Sequence, residues 1–370
     1  MLTFHRRNLL GIVAALTTTR LLGATPMIDE AHFEQAAKIL SDATASGQVR
    51  AAAIYARCNS KEFSQAFGGA KSVDASFLLG SISKPISVAA LMTLFDQGEF
   101  ALDDRVQRYI PEFQGELRER VTIRHLLTHV SGLPDQLPNN AELRAGHAPL
   151  SEFIGAATKV PLGFAPGTRY EYSSMAILLA AEIAQRLSDQ DIRDLVAKNV
   201  LQPLGMQHSA LGMGTLQAGD MIPAQVEFGA TESGGGSAES RNWDWNSPFW
   251  RELGAPWGGA HASVGDVAKF LDSFLQPNGM ILRPETSALM IRNHNPSGLE
   301  SRGLGFDVGM QSVCANCSNR TFGHTGSTGT IAWADPEHDR LCVVLTTLPS
   351  QALDASRHPK QLASDAIFQR

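Results

Sequence analysis

Strand-like segments lie near both ends of this 370-residue chain, and helical patterns fill the long stretch between them. Apolar segments with strand character cover 49–57 and 62–67, and the second can pair with the first as a hairpin. The other strand signals come at 303–310, 328–334 and 341–348. This pattern predicts an α+β fold of the α/β-sandwich type, in which both chain ends build one antiparallel sheet flanked by helices.

Helical periodicity dominates the middle of the chain and also flanks the predicted sheet. The predicted helices cover 30–44, 81–97, 188–200, 265–275, 284–292 and about 352–368. Strand signals are scarce between about 100 and 215, which indicates an inserted all-helical subdomain. We therefore expect a single domain over 27–370, with a sheet subdomain at about 27–80 and 258–370 and a helical subdomain at about 81–257.

The first 24 residues have the features of an export signal. Arg6 and Arg7 precede an apolar stretch at 9–16 that is too short to span a bilayer, and Ala24 is a small residue suited to cleavage. Paired arginines here are typical of a twin-arginine signal, which predicts a bacterial periplasmic or extracellular protein with no stable membrane span after signal removal. An uncleaved amphipathic N-terminal helix is the alternative.

The overall charge of the chain argues against nucleic acid as a partner. The formal net charge is −6 and the sequence pI is about 6.0, and the sequence contains no basic stripe. The hydrophobic share of 43% with 18% charged residues is ordinary for a globular enzyme, so the chain can bury a sizeable core.

The cysteines leave two interpretations open. Cys314 and Cys317 have the spacing of a redox or metal pair, but no second pair completes a zinc site. A small disulfide loop and two inert thiols are both consistent with them. Cys58 and Cys342 lie in strand-like segments and are expected in the core.

A serine and a lysine three positions apart, Ser81 and Lys84, open an apolar run directly after Gly80. Three helical residues turn by about 300°, so both side chains would project from one face of a first helical turn. Pro85 lacks an amide hydrogen, which is tolerated only near a helix start. An amine within reach of a hydroxyl can activate a serine without histidine. On this tetrapeptide alone, a capping serine beside a solvated lysine is the alternative interpretation.

Several further blocks follow this motif in a consistent order and spacing. The blocks lie at 79–87, 94–98, 102–106, 109–112, 121–134, 166–174, 324–327 and 335–337. Together they resemble the serine β-lactamase-related family of class C β-lactamases, D,D-peptidases and family VIII-type esterases. The resemblance extends over roughly residues 30 to 350. It implies a β-lactamase/transpeptidase-like fold with the active site in a cleft between the sheet and the helices.

The resemblance assigns the chemical roles to three residues. It implies that Ser81 is the nucleophile, Lys84 its partner and Tyr172 the acid/base tyrosine of the second motif. An ordinary lysine and an ordinary tyrosine both hold their protons at pH 7, so a shifted pKa is required of whichever group is the base. The choice between Lys84 and Tyr172 stays open, and we expect them to act as a coupled pair.

The third motif supplies the expected binding groups. The resemblance implies that His324, Thr325 and Gly326 lie on a strand that lines the cleft, with Thr325 suited to a substrate carboxylate. The oxyanion of the tetrahedral intermediate would rest on the backbone amides of Ser81 and Ser327. These amides would be donors at the point where negative charge develops.

The second motif departs from the family pattern at Ser174, where the family normally has asparagine. A hydroxyl is shorter than a carboxamide and cannot donate and accept at two separate atoms. Contacts to a substrate amide and to the Lys84 ammonium are therefore weakened. Capping of a helix that begins near Met175 is the alternative role for Ser174.

Two other groups of residues have less specific signals. His125 and His129 have i, i+4 spacing, but no glutamate follows His125 as a metalloprotease helix requires, so we expect a structural role and no metal. Four tryptophans lie in the glycine-rich stretch at 229–260 and either line the cleft or anchor the loop: Trp243, Trp245, Trp250 and Trp257. Trp333 is expected in the core.

The expected function is an exported serine hydrolase that forms an acyl-enzyme. Its substrate would be a small-molecule or peptide acyl compound, either a carboxylic ester or a D-Ala-D-Ala-type or β-lactam amide. No cofactor or metal is implied by the motifs. The alternative is a catalytically weak or inactive binding or sensory protein on the same scaffold.

Overall fold

The computed structural model describes residues 30–309, 314 and 316–368 of the chain. Within this part the helices are α1 (Glu30–Ala45), α2 (Ser83–Asp96), α3 (Ile123–Leu127), α4 (Asn140–Ala145), α5 (Leu150–Ala157), α6 (Ser174–Ser188), α7 (Ile192–Val196), α8 (Pro248–Leu253), α9 (Val264–Leu275), α10 (Pro284–Met290) and α11 (Pro359–Ala366). The strands are β1 (Ala51–Cys58), β2 (Lys61–Gly68), β3 (Ser76–Leu78), β4 (Ala210–Leu211), β5 (Met221–Ile222), β6 (Ala260–Ala262), β7 (Asp307–Val308), β8 (Phe322–Gly326), β9 (Thr330–Asp335) and β10 (Arg340–Thr346).

Six strands from the two ends of the chain form one antiparallel sheet, in the order β2-β1-β10-β9-β8-β7. β1 pairs with β2 through the expected hairpin, and Ala51 lies opposite Gly68. On its other side β1 pairs with β10, where Ala52 lies opposite Thr346. The remaining neighbours are antiparallel as well. The predicted α+β fold is confirmed, with a sheet built from both chain ends.

Side chains alternate across this sheet, so each of its faces packs against a separate hydrophobic core. Ala52 and Ile54 of β1 belong to a core cluster that also contains Leu40 of α1. Ala51 and Ala53 of the same strand belong to the larger cluster on the opposite face. The sheet is therefore the middle layer between helices on both sides, as an α/β sandwich requires.

Helix α2 is a central buried element. Every residue from Ser83 to Leu94 is buried, and a helix that is apolar all round is typical of such a position. A 3₁₀ turn at Gly80–Ile82 precedes it, and Gly98 follows its end in the left-handed region with φ 82°. Ser81 and Lys84 therefore lie at the start of a helix, as Pro85 indicates.

The structure contains a second, small sheet that the sequence analysis did not predict. Its strands have the order β4-β6-β3-β5 and are only two or three residues long. Segments this short show no period-two pattern, so periodicity cannot reveal them. β3 leads directly into the 3₁₀ turn, and the amide of Leu79 donates to the carbonyl of Ala260 at 2.8 Å. The small sheet thus fixes the backbone that carries Ser81.

Three sequence-based boundaries are wrong. The predicted helix at 352–368 is α11 alone, preceded by 3₁₀ turns at Ser350–Ala352 and Ala355–Arg357, because Pro359 favours the first position of a helix. The predicted helix at 188–200 begins later than expected: α6 ends at Ser188, Asp189 adopts a left-handed conformation with φ 53°, and α7 then continues into a π-helical turn at Ala197–Leu201.

The third wrong boundary is that of the strand predicted at 303–310. Among its described residues only β7 is extended. Gly305 has φ 80°, and a Cβ there would lie 2.9 Å from Val88 of α2. Close packing on α2 therefore bends this segment. Its last residue, Met310, lies outside the described residues.

The structure also decides part of the cysteine question. Cys314 and Cys317 form a disulfide bond, while Cys58 and Cys342 are buried thiols in the core. The proposed export signal at 1–24 lies outside the described residues. In the described part of the chain, no helix is both long enough and apolar enough to cross a bilayer. The division into a sheet and a helical subdomain stays a prediction.

A glycine-to-alanine pair tests how closely β8 approaches the backbone before α2. In Gly326→Ala the new Cβ would clash with the Leu79 carbonyl and the Thr330 hydroxyl, so we expect unfolding free energy to fall by about 2–3 kcal/mol. Gly265→Ala in α9 is the control, because no heavy atom lies within 4 Å of its Cβ. Urea denaturation should show equal or higher stability for this control. Equal stability of both variants would contradict the close approach.

Candidate active site

Ser81 and Lys84 contact each other at the beginning of α2. The Lys84 Nζ donates to the Ser81 Oγ at 3.0 Å and to the backbone carbonyl of Trp257 at 2.9 Å. The 3₁₀ turn at Gly80–Ile82 directs the serine toward the cleft, while Lys84 lies in the first turn of the helix. The amine therefore bridges the hydroxyl and a fixed backbone acceptor.

The environment of Lys84 disfavours its charged form. Burial lowers the pKa of the Lys84 ammonium to about 7, since the side chain is inaccessible to solvent. The nearby carboxylate of Asp135 and the more weakly acting Glu232 oppose this shift, and the Arg302 guanidinium adds to it. At neutral pH a substantial fraction of Lys84 is thus a free amine that can accept a proton from Ser81.

Tyr172 packs over the same lysine. Its ring centroid lies 4.7 Å from the Lys84 Nζ, and its hydroxyl interacts with the Ser81 hydroxyl. Burial raises the pKa of the Tyr172 phenol, although the Arg302 guanidinium and the hydrogen bond with Ser81 oppose the increase. The phenol is therefore protonated at neutral pH. Of the two possible bases, Lys84 is the one whose pKa is shifted toward neutrality.

The backbone around Tyr172 is held by a buried histidine. The amide of Ser173 donates to Nδ1 of His129 at 3.2 Å, and the amide of Glu171 donates to the His129 carbonyl at 2.9 Å. The rings of His129 and Tyr172 lie 4.7 Å apart. His125 has a separate task, because its Nδ1 accepts from the Thr122 amide in a capping box. Both histidines therefore support the local structure.

His324 on β8 is neutral and oriented by an arginine. Arg302 Nη2 donates to His324 Nε2 at 2.7 Å, so Nδ1 carries the ring proton and donates to the Thr325 carbonyl at 2.6 Å. Burial holds the pKa of His324 well below its ordinary value, and the cations of Arg302 and Lys84 lower it further. Arg302 also forms an ion pair with Asp307. The positive charge next to His324 is therefore that of the Arg302 guanidinium.

The end of β8 lies against the backbone that precedes Ser81. A Cβ on Gly80, which has φ 56°, would lie only 3.2 Å from the Ser327 amide nitrogen and 2.9 Å from Thr328 Oγ1. Among the described residues, the Ser327 amide donates to no protein acceptor. The hydroxyl of Thr328 donates to the Leu78 carbonyl at 2.7 Å and locks the two segments together. Thr325 is partly exposed on β8.

Ser174 contacts a carboxylate and does not contact Lys84. Its hydroxyl and its amide both donate to Asp135 Oδ1, at 2.6 and 2.9 Å. The alternative role as helix cap is wrong for this residue, because Ser173 is the N-cap of α6 and accepts from the Ala176 amide at 3.0 Å. Lys84 donates to the Trp257 carbonyl at 2.9 Å instead.

Ser81 and Tyr172 line one cavity of about 120 Å³. The lining includes Ser81, Tyr172, Ser174, Ser327, Asp135, Arg144, Glu232 and three of the four tryptophans, Trp245, Trp250 and Trp257. Trp243 is buried but is not part of this lining, whereas Trp333 lies in the core of the sheet as expected. The first two sequence motifs reach this cavity through Ser81 and Tyr172, and the third reaches it only through Ser327. His324, Thr325 and Gly326, which were expected to line the cleft, are not part of this lining, and the His324 ring lies 6.1 Å from that of Tyr172.

Known proteins match the chain over most of its length. Residues 36–366 match the family model described as Beta-lactamase. The esterase EstB of Burkholderia gladioli is 30% identical over 293 residues, which cover 70% of this chain and 72% of that protein.

The chain belongs to the beta-lactamase family.

Other relatives carry the names D-alanyl-D-alanine carboxypeptidase and penicillin-binding protein. A penicillin-binding protein homologue from Caulobacter crescentus has the same fold, with a TM-score of 0.73 at 17% identity over 92% of this chain and 98% of that one. EstCE1, described as a hydrolase with promiscuous acyltransferase activity, has a TM-score of 0.72 at 21% identity and covers 92% of this chain and 99% of its own. The resemblance inferred from the motifs is confirmed, and the chain is a serine hydrolase of the beta-lactamase family.

Sequence reasoning missed several residues of this beta-lactamase-family site. Arg302, Asp135 and Arg144 lie in segments whose sequence has no periodic or motif signal, and each reaches the site through the fold alone. Asp135 has the best available clue, because it directly follows the block at 121–134. The carbonyl of Trp257 is a backbone atom, which a residue pattern does not reveal.

The pH dependence of stability tests the environment of Lys84. Its folded pKa of about 7 lies below the ordinary value of 10.5, so between these values the unfolded chain retains a proton that the folded chain has released. Unfolding free energy of the native protein should therefore rise with pH relative to Lys84→Met, by at most about 1.4 kcal/mol per pH unit, and level off below about pH 7. Denaturant unfolding from about pH 6 to pH 10 measures this difference. Parallel curves for the two proteins would show that the lysine pKa is unshifted.

Proposed function

We propose that this chain is an exported serine hydrolase that forms an acyl-enzyme at Ser81 and acts foremost on carboxylic esters. The observation that supports this function is that Ser81 and Tyr172 line one cavity, with the buried Lys84 amine 3.0 Å from the serine hydroxyl and its pKa lowered to about 7 by burial. A binding protein without catalysis has no need for a desolvated amine at a serine. The retained trio therefore argues against the inactive alternative.

In the proposed mechanism Lys84 is the general base of acylation. The Ser81 oxygen bonds to the substrate carbonyl carbon while its proton passes to the Lys84 amine. The carbonyl oxygen gains the negative charge and accepts from the amides of Ser81 and Ser327. The Tyr172 phenol gives its proton to the departing alcohol and is reprotonated by the Lys84 ammonium, so the lysine ends as a free amine again.

Deacylation uses the same groups with water as nucleophile. Lys84, in contact with the Tyr172 ring, accepts a proton from water as the oxygen attacks the acyl carbon. The Ser81 oxygen leaves and recovers a proton from the lysine. The guanidinium of Arg302 lies 5.5 Å from the Tyr172 ring centroid and favours any negative charge on the phenol oxygen.

The second motif favours esters over β-lactams as substrates. Ser174 donates to Asp135 Oδ1, and the carboxylate of Asp135 can only accept hydrogen bonds when ionised. A carboxamide at this position could donate to the carbonyl of a penicillin's acyl side-chain amide, whereas the Ser174 hydroxyl has a single hydrogen and donates it to Asp135. The name of the relative EstB, an esterase, agrees with this preference. A D-Ala-D-Ala-type peptide is the second candidate, since other relatives are named as carboxypeptidases of that kind.

A matched set of substrates tests the proposed function. The native protein should hydrolyse p-nitrophenyl acetate or butanoate, with lower turnover of a chromogenic cephalosporin and of a D-Ala-D-Ala peptide. Ser81→Ala should lose at least about a thousandfold in kcat and all covalent labelling by an organophosphonate, because the acyl acceptor is gone. Labelling that persists in this variant would identify another nucleophile.

Tyr172→Phe is the companion variant in the same assay. It should still be labelled by the organophosphonate, while kcat for an alkyl ester such as ethyl butanoate falls by about a hundredfold because the departing alkoxide loses its proton donor. The p-nitrophenyl esters should be affected less, because p-nitrophenolate leaves without a proton. Thermal melting of both variants serves as the control for folding. An unchanged kcat for the alkyl ester would remove the tyrosine from the mechanism.

We propose further that the protein reaches the periplasm or extracellular space through the paired Arg6 and Arg7. A conservative double change, Arg6→Lys with Arg7→Lys, keeps the charge but alters the paired arginines, and export should fall strongly. Cell fractionation followed by immunoblotting measures the share of exported protein. Export of the native chain and the variant at the same level would contradict a twin-arginine signal.

A further inference from the structure

Arg144 is a buried cation in the wall of the cavity that contains Ser81. The side chain extends from α4 and is only 1% exposed, and its guanidinium carbon lies 4.1 Å from the ring centroid of Trp250. Its Nε donates to Asn140 Oδ1 at 3.2 Å. Asn140 in turn donates to the Glu232 carbonyl at 3.1 Å. The guanidinium plane is therefore fixed by stacking and by a hydrogen-bond chain.

Most donors of this guanidinium have no acceptor in the protein. An arginine side chain has five N–H donors, and within the part of the chain that the structure describes only the Nε donor of Arg144 is engaged. Nη1 is buried and unpartnered, and no carboxylate among these residues lies within ion-pair distance. Burying unpaired donors and a charge is costly unless a partner is supplied. A bound substrate group is the partner that this cavity can admit.

We propose that Arg144 binds a carboxylate on the acyl part of the substrate, so that the enzyme prefers half-esters of short dicarboxylic acids. A carboxylate matches the two-pronged geometry of a guanidinium, which is why arginine is suited to this task. The proposal rests on the proposed function, because it deepens the substrate class of the same site. The aromatic walls of Trp245, Trp250 and Trp257 would enclose the methylene chain between the scissile carbonyl and the carboxylate.

Two carboxylates in the same cavity, those of Asp135 and Glu232, are possible competitors of a substrate carboxylate for Arg144. Asp135 Oδ1 is already engaged by Ser174, so this group is committed to the start of α6. Glu232 is partly exposed and acts on Arg144 from a distance, raising the pKa of the guanidinium against the lowering caused by burial. The resulting pKa of about 10 still leaves Arg144 charged at neutral pH. Glu232 is thus a repulsive neighbour for an incoming carboxylate.

A pair of nearly isosteric esters tests the proposal directly. p-Nitrophenyl hydrogen glutarate has a terminal carboxylate, and p-nitrophenyl glutaramate has a neutral amide in the same place. The native enzyme should show about tenfold higher kcat/KM for the glutarate ester, mostly through KM, after subtraction of the rate with Ser81→Ala. Arg144→Gln should abolish this preference. Arg144→Lys keeps the positive charge but lacks the two parallel N–H donors of a guanidinium, so it should retain only part of the preference.

Glu232→Gln and a binding measurement cover the cases in which those variants do not fold or no ester is hydrolysed. The first should raise the preference for glutarate above the native ratio, because it removes a competing negative charge. Calorimetric titration of Ser81→Ala with glutarate should show saturable binding that glutaramide does not reproduce. Hydrolysis of the neutral ester by Ser81 tests the proposed function on its own. Equal kcat/KM for the two esters in the native enzyme, or no glutarate binding by Ser81→Ala, would overturn the role of Arg144.

Discussion

The burial of one amine beside one hydroxyl is the interaction on which the site depends. Lys84 is inaccessible to solvent and has the Ser81 hydroxyl and the Trp257 carbonyl as its hydrogen-bond partners among the described residues. Neither partner carries a formal charge, so no carboxylate in direct contact compensates the ammonium form. The desolvation that lowers the lysine pKa is therefore a consequence of placing it within a helix that is buried on every side. The same packing that stabilises the middle of the molecule produces the reactive group.

The site also depends on the close approach of two segments that are far apart in the sequence, one around residue 80 and one around residue 327. Gly80 lies against the backbone at Ser327, and Gly326 lies against Leu79 with no room for a side chain on either glycine. Hydroxyls of Thr328 and Thr330 then donate to the carbonyls of Leu78 and Leu79, both at 2.7 Å. This contact joins the turn between β8 and β9 to the backbone that precedes α2. A cleft between the two parts of the fold thus has fixed walls before any substrate enters.

Much of this arrangement is predictable from the sequence, and the rest has a physical reason for being hidden. Apolar segments with strand character predict the main sheet, because a strand that is buried on both faces is apolar along its length. Helical periodicity predicts most long helices, because they are long enough to show it. The two-residue strands β4 and β5 show neither pattern. Ser81, Lys84 and Tyr172 are recognisable because their roles require particular side chains at fixed spacings. Arg144 and Asp135 are not, since what matters for them is a direction in space that only the folded chain defines.

The positive charge beside the strand motif is carried by an arginine that lies outside the motif. His324 is neutral, and its Nε2 accepts from Arg302, whose guanidinium lies 5.5 Å from the Tyr172 ring. A lysine at this position would have to lose its hydration in the same buried place, whereas arginine is more weakly hydrated and here pairs with Asp307. Arg302 therefore places a cation near the tyrosine, and its hydrogen bond to His324 connects it to β8.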